Sequence, residues 1–244
     1  MTFPGLPPID RRPFIPDTVW LVRNRELVKV SRDKNPDEWE RLVAADEALA
    51  THLKDDIWPT SSSSAPWLMA QMIGALQITS GTKVLEIGTG TGFNAACLAA
   101  LGAEVISIEI DAVIAEQARE NLNKASQDSV TVITGDGQRG SPENAPFDRV
   151  IATAAARTIP FPWVEQTKNG GLIVTPYTGQ GHEGAMLVLT VSDGVARGGV
   201  EGEASFMPLR GHGLTPAERT EIDSCPDLHI EVTASGQRIT TGQR

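Results

Sequence analysis

The stretch KVLEIGTGTG, from Lys83 to Gly92, places three alternating glycines directly after a short apolar run. An apolar run of this length that ends in glycine is typical of a buried strand, and the alanine-rich segment 92–100 that follows predicts a helix. Glycine at a strand-to-helix turn lets the backbone adopt positive φ and approach a ligand closely. A dinucleotide-binding turn, G-x-G-x-x-G, would have its third glycine at position 93, where this chain has Phe93. The spacing therefore favours a ligand without a pyrophosphate, such as S-adenosylmethionine.

Strands and helices alternate along the middle of the chain. Strands that alternate with helices predict a doubly wound, mostly parallel α/β sheet, and final strands without helices between them predict an antiparallel edge. Apolar runs predict strands at residues 83–87, 104–110, 130–134, 148–153, 172–177 and 186–191, with 204–209 as a candidate seventh. Helices are predicted at 66–76, 92–100, 112–125 and 162–168.

The two ends of the chain differ from this middle part. Residues 1–16 hold much of the proline and predict an extended arm, and residues 19–30 predict a hairpin that turns near Asn24. A packing helix is predicted to begin at Asn35-Pro36-Asp37. Residues 228–232 alternate like one exposed strand, and we expect mobility beyond Ser235. The predicted organisation is an N-terminal arm with hairpin and helix (1–58), an α/β core (59–210) and a partly mobile C-terminal extension (211–244).

Acidic residues follow two of the predicted strands. Glu109 ends the second strand, where a carboxylate can accept hydrogen bonds from both hydroxyls of a ribose. Asp111 is a good N-cap for the next helix, so Glu109 is the preferred ribose ligand. Asp136, in the Gly135-Asp136-Gly137 turn after the third strand, could accept from an adenine amino group. The pattern predicts a nucleoside site along one edge of the sheet.

Composition limits the classes of partner. The net charge of −10 argues against general affinity for nucleic acid, which rests on phosphate neutralisation by Lys and Arg. No apolar run approaches the roughly 20 residues that span a bilayer, and the first residues lack the apolar segment of a secretory signal. Cys97 and Cys225 lie far apart without a C-x-x-C pattern, so neither a disulfide framework nor a metal site is predicted. These features predict a cytoplasmic protein without nucleic-acid or membrane partners and leave its oligomeric state open.

Several motifs together resemble one family. VLEIGTGTGFNAACLAA, SIEID, GDG, SPENAPFDRVIATAAA, IP and VEQTKNGGLIVTPY are similar to the protein-L-isoaspartate O-methyltransferase family over roughly Thr60 to Tyr177. The resemblance implies a class I methyltransferase fold, with a mostly parallel seven-stranded sheet, helices on both faces and S-adenosylmethionine as cofactor. It places the cofactor contacts at Glu86, Gly88, Gly90, Gly92, Glu109, Ile110, Asp136 and Gly137.

The run of four serines in PTSSSSAPW has two interpretations. A serine-rich run is typical of a flexible linker, whereas hydroxyls at a helix start can hold an anion. The family has a T-I-S-x-P segment before its first core helix, and the resemblance implies that Ser64 takes the catalytic serine's position. Thr60, Ser61, Ser62 and Ser63 would then contact the substrate. A substrate carboxylate is already ionised at neutral pH, so Ser64 would orient it and no general base is required.

The substrate is less constrained than the chemistry. The distinct N-terminal arm and the C-terminal ASFMPLR resemble a branch that methylates aspartate in ribosomally made peptides, where the ester closes to an aspartimide. We expect an aspartyl peptide substrate, with isoaspartate in damaged proteins as the alternative. A Rossmann oxidoreductase, a small-molecule methyltransferase and a cofactor-binding module without catalysis are further hypotheses.

Overall fold

The computed structural model describes residues 2–24, 26–55, 57–179, 182–212 and 228–241. Within these residues, nine strands form a central sheet. The strands are β5 (Lys83–Ile87), β6 (Glu104–Glu109), β7 (Val130–Thr134), β8 (Phe147–Ala152), β9 (Thr167–Gly179), β10 (His182–Ser192), β11 (Val195–Glu203), β12 (Leu228–Thr233) and β13 (Gly236–Thr241). Their order in the sheet is β13-β12-β11-β10-β9-β8-β5-β6-β7. The strands from β5 to β9 pair in parallel, and those from β9 to β13 pair in antiparallel fashion.

Helices cover both faces of this sheet. Successive residues of a strand point to opposite faces, so Val84 packs with α2 (Pro66–Leu76) and α3 (Phe93–Ala100), whereas Leu85 belongs to the cluster of α5 (Phe161–Glu165). The remaining core helix, α4 (Ala112–Lys124), follows β6. The predicted α/β fold, with a parallel core, an antiparallel edge and helices on both faces, is confirmed. The sheet is mixed, with four parallel and four antiparallel pairings among the described strands.

A second, antiparallel sheet precedes the core. It consists of β1 (Thr18–Arg23), β2 (Glu26–Ser31), β3 (Leu49–Lys54) and β4 (Trp58–Ser63), in the order β2-β1-β3-β4, and α1 (Pro36–Ala44) packs against it. The predicted hairpin is confirmed, with Asn24 at positive φ beside the turn. The hairpin of β3 and β4 was not predicted. Because most of the serine run lies in β4, the linker interpretation is wrong.

Two predictions in the C-terminal half need correction. The helix predicted at 162–168 ends at Glu165, because Thr167 already pairs with Phe147 in the sheet. The candidate strand at 204–209 lies outside the sheet's ladder, since the strand that pairs with β10 is β11. Residues 204–209 instead run beside Ala155, whose N–H donates to Met207 O at 2.8 Å.

The segment after residue 227 also differs from its prediction. Residues 228–232 were predicted as one exposed strand and the residues beyond Ser235 as mobile. The structure pairs β12 with β11 and β13 with β12, and Leu228, Ile230 and Val232 are buried. The sheet therefore has two strands more than the predicted seven, because burial of alternate apolar side chains favours pairing over exposure. The predicted strand boundaries elsewhere agree within a few residues.

The described residues include no helix that is long and apolar enough to cross a membrane. They also include no group of three or more His, Cys, Asp or Glu side chains placed to hold a metal ion.

Candidate active site

A cavity lies at the carboxyl ends of the parallel strands, beside the point where the strand order reverses around β5. This is where ligands bind in open α/β sheets. The glycine loop after β5, the serine run and the segment 207–210 line it. Of the predicted site residues, the cavity brings together Thr60, Ser61, Ser62, Ser63, Ser64, Gly88, Gly90, Glu109, Ile110, Asp136 and Gly137.

The glycine loop presents its backbone to this cavity. Gly88 and Gly90 have φ of +91° and +54°, which disfavour a side chain. A Cβ at Gly88 would lie 2.9 Å from Thr153 Oγ1, and the Gly88 N–H donates to Ile108 O at 2.8 Å. The loop is thus held against the ends of both neighbouring strands, β6 and β8. Its backbone, without side chains at Gly88 and Gly90, forms part of the cavity wall.

Glu109 connects this loop to the end of β6. Its carboxylate is 8% exposed and accepts from Gly90 N at 3.0 Å and from Asp111 N at 3.1 Å. A carboxylate offers about four acceptor positions, so positions remain for two ribose hydroxyls. Asp111 caps α4 as predicted, accepting from Val113 N and Ile114 N.

We expect Glu109→Ala to weaken S-adenosylmethionine binding by roughly 1–3 kcal/mol, because the ribose hydroxyls would lose a charged acceptor. Titration calorimetry measures this change. Asp111→Ala is the control, since Asp111 lies outside the cavity lining, and it should lower helix stability while leaving affinity nearly unchanged. Equal affinities of the wild type and Glu109→Ala would remove Glu109 from the cofactor site.

The Asp136-Gly137 turn approaches β5 closely. Asp136 accepts from Gln138 N at 3.0 Å and is exposed to the cavity. A Cβ at Gly137 would lie 2.5 Å from Ile87 Cγ2, so a side chain there would displace the end of β5. The buried Trp163 holds the turn in place, because its Nε1–H donates to Gly137 O at 2.8 Å. The turn therefore holds a carboxylate at the edge of the cavity, where the sequence predicted it.

Two predicted cofactor residues lie away from the cavity lining. Glu86 is fully buried beneath the loop, accepts from Asn94 Nδ2 at 2.7 Å and pairs closely with Ser107 Oγ. Burial, with a smaller contribution from Glu109, raises the pKa of Glu86 to about 7. A Cβ at Gly92 would lie 3.2 Å from Leu122 Cγ, so this glycine allows α3 and α4 to pack. Both residues support the loop from behind.

The serine run alternates as a strand should. Ser61 and Ser63 are buried, whereas Ser62 and Ser64 are half-buried. Ser63 Oγ accepts from Arg11 Nε at 3.1 Å, and Ser61 Oγ accepts from Thr51 Oγ1 at 3.3 Å. The Ser62 and Ser64 hydroxyls have no hydrogen-bond partner among the residues that the structure describes. These two hydroxyls are the ones available to a ligand.

The start of α2 differs from the predicted anion site. Pro66 has no N–H, and the Trp67 N–H donates to Asp46 Oδ1 at 2.7 Å. The Leu68 N–H donates to Ala65 O at 3.1 Å. The first-turn amides are therefore already bonded within the protein, and a substrate anion has to be held by other groups.

The segment from Met207 to His212 is part of the site although its sequence did not indicate this. Met207, Pro208, Leu209 and Arg210 line the cavity. His212 holds the segment in place: its Nδ1 accepts from Arg157 N at 3.1 Å, and its Nε2 lies 2.8 Å from Gln138 Oε1. Burial lowers the pKa of His212, consistent with a neutral ring that donates through Nε2. The apolar SFMPL pattern was a signal for burial, but it was interpreted as a strand.

The fold and this cavity define a class I, S-adenosylmethionine-dependent methyltransferase. Residues 26–213 match the model of the protein-L-isoaspartate (D-aspartate) O-methyltransferase family. The chain belongs to this family, and its cofactor is S-adenosylmethionine. The predicted fold class, enzyme class and cofactor are thereby confirmed.

Individual relatives agree with this placement. The chain is 39% identical to a protein-L-isoaspartate O-methyltransferase of Gloeobacter violaceus over 169 residues, which cover 69% of this chain and 80% of the relative. A solved protein-L-isoaspartate O-methyltransferase superposes with a TM-score of 0.65 at 24% identity, covering 84% of this chain and 77% of the other. A Plasmodium falciparum protein assigned the same activity, solved with S-adenosyl-L-homocysteine, gives a TM-score of 0.58 at 18% identity, covering 74% and 86%.

Proposed function

We propose that the protein methylates the free carboxylate of L-isoaspartyl residues in proteins or peptides. The observation that carries this proposal is the family match over residues 26–213, in which the related proteins are protein-L-isoaspartate O-methyltransferases. The expectation of an aspartyl peptide substrate has no comparable support. Isoaspartate therefore replaces it as the favoured substrate.

We propose that the cavity holds the two reactants side by side. The glycine loop, Glu109 and Asp136 would bind the cofactor, and Ser62 and Ser64 would donate to the substrate carboxylate. When bound, S-adenosylmethionine supplies a methyl group on a sulfonium. Ser62 and Ser64 would orient a carboxylate oxygen toward this methyl group, and transfer would neutralise the carboxylate and the sulfonium without requiring a base from the chain. Because both charges disappear, exclusion of water by the segment 207–210 would favour the reaction.

The proposed product reacts further without the enzyme. The next backbone nitrogen lies in position to attack the ester carbonyl, and closure to a five-membered succinimide is intramolecular. The nitrogen's proton leaves with the methoxide as methanol. The peptide therefore ends one water lighter than it began.

Two peptides that differ by Asp or isoaspartate at one position test the proposal. Mass spectrometry should show methyl gain and then methanol loss for the isoaspartyl peptide, with little reaction of the aspartyl peptide. Preference for the aspartyl peptide would favour peptide modification instead. Cofactor binding with no transfer to either peptide would identify a non-catalytic binding module.

A further inference from the structure

Arg11 lies directly behind the serine run. Its side chain is fully buried and reaches from the N-terminal arm to the end of β4. Nη2 donates to the carbonyl oxygens of Ser63 and Ser64, each at 3.1 Å, and Nε donates to Ser63 Oγ at 3.1 Å. Further bonds join Nη1 to Ala45 O and Nη2 to Glu47 O. One guanidinium thus fixes the backbone that carries Ser64.

The charge of Arg11 lacks an ion-pair partner in the described part of the chain. Its acceptors are carbonyl and hydroxyl oxygens, and its flanking groups include the rings of Phe3 and Phe93, each 5.9 Å from the guanidinium carbon. Burial lowers the pKa of Arg11 to about 10, with Asp46 opposing this effect. The group therefore remains cationic at neutral pH. A buried charge without a counter-ion is costly to the folded state.

We propose that the substrate carboxylate is the counter-charge of Arg11, which makes Arg11 a positioning residue for the anionic substrate. This inference rests on the proposed function. The α2 amides are already bonded, and Arg210 in the cavity lining already pairs with Asp111, with Nη2 3.8 Å from Oδ2. Because the protein is strongly acidic, attraction of a carboxylate requires a further local positive charge without a carboxylate partner. Arg11 supplies this charge from behind Ser64, since its guanidinium donates to the Ser64 carbonyl oxygen and Ser64 lines the cavity.

The experiment separates charge from structural support. The probes are an isoaspartyl peptide and the same peptide with that carboxylate converted to a primary amide. Their affinities for the enzyme saturated with S-adenosyl-L-homocysteine are measured by calorimetry. The wild type should prefer the carboxylate, and Arg11→Met should reduce this preference on the order of tenfold. Cofactor affinity should stay nearly constant, so that the effect falls on the KM for peptide.

Two variants provide the controls. Arg11→Lys keeps the charge and should retain the preference for the carboxylate even if it lowers the melting temperature. Arg12→Met removes the same charge one residue away, where the side chain is exposed and paired with Asp10, and should leave the preference unchanged. If Arg11→Met does not fold, the inference is tested with Arg11→Lys and with the wild type at high salt. Because a buried charge is screened little, the wild type should keep its preference for the carboxylate peptide as the salt concentration rises.

The outcomes are distinct. Equal weakening of both peptides by Arg11→Met would show a structural role only and overturn the inference. The inference would also be overturned if folded Arg11→Lys lost the preference for the carboxylate peptide, or if the wild type lost that preference at 1 M salt. A wild type that binds the cofactor product but neither peptide would refute the proposed function itself.

Discussion

Ser64→Ala should lower the rate of methyl transfer by about 10- to 100-fold, because a misplaced nucleophile loses much of the advantage of orientation. The Ser64 hydroxyl is half-buried, lines the cavity and is unbonded in the described residues. It is therefore free to donate to a substrate carboxylate oxygen. Cofactor affinity should be nearly intact, since Glu109 and the glycine loop do not depend on this hydroxyl. Single-turnover kinetics with an isoaspartyl peptide measure the rate of transfer.

Ser61→Ala is the matched control for Ser64→Ala. It removes the same group from the same serine run, but Ser61 is buried and its hydroxyl is already bonded to Thr51. Its effect on the rate should be much smaller. Equally mild effects of the two substitutions would show that the serine run supports the fold without contacting the substrate.

Glu86→Gln should remove a large pH dependence of stability. Burial raises the pKa of Glu86 from its ordinary 4.5 to about 7, so between these values the folded state binds a proton that the unfolded state has released. The contribution of Glu86 to stability is therefore full below pH 4.5 and falls as pH rises through 7. From pH 4.5 to above 7 the wild type should lose about 3 kcal/mol that the variant does not lose.

Glutamine preserves the geometry of this network. Its amide oxygen can accept from Asn94, as the carboxyl oxygen of Glu86 does. Ser107 Oγ donates to Glu86 in the wild type; in the variant it can accept from the glutamine NH2 group and donate to Thr89 Oγ1 instead. Urea unfolding of both proteins at pH 5 and pH 8 gives the difference in unfolding free energy. Cofactor affinity at pH 6 should be similar in both, because Glu86 lies outside the cavity lining. Parallel pH profiles would mean that Glu86 is ionised throughout.

The sequence by itself determined the core elements and the edge of the sheet where the cavity lies. The strand Lys83–Ile87 and the helix Pro66–Leu76 have the predicted bounds. Apolar periodicity, proline at a helix start and glycine at a turn act over a few residues, so they can be recognised without knowing the fold. Glu109 and Asp136 were also predicted, because carboxyl ends of neighbouring parallel strands must meet at one edge.

Tertiary structure alone decided which groups face the cavity. Glu86 and Gly92 belong to the same motif as Gly90, yet the pleat and the helix crossing direct them into the core. The segment 204–209 has a strand-like pattern, but the backbone groups of Met207 and Leu209 bond to Ala155. Arg11 reaches Ser63 across 52 positions of sequence. Such placements depend on packing between segments that are distant in sequence. The hydrophobic effect is non-directional, so the residues around an apolar segment do not specify which other segment it packs against.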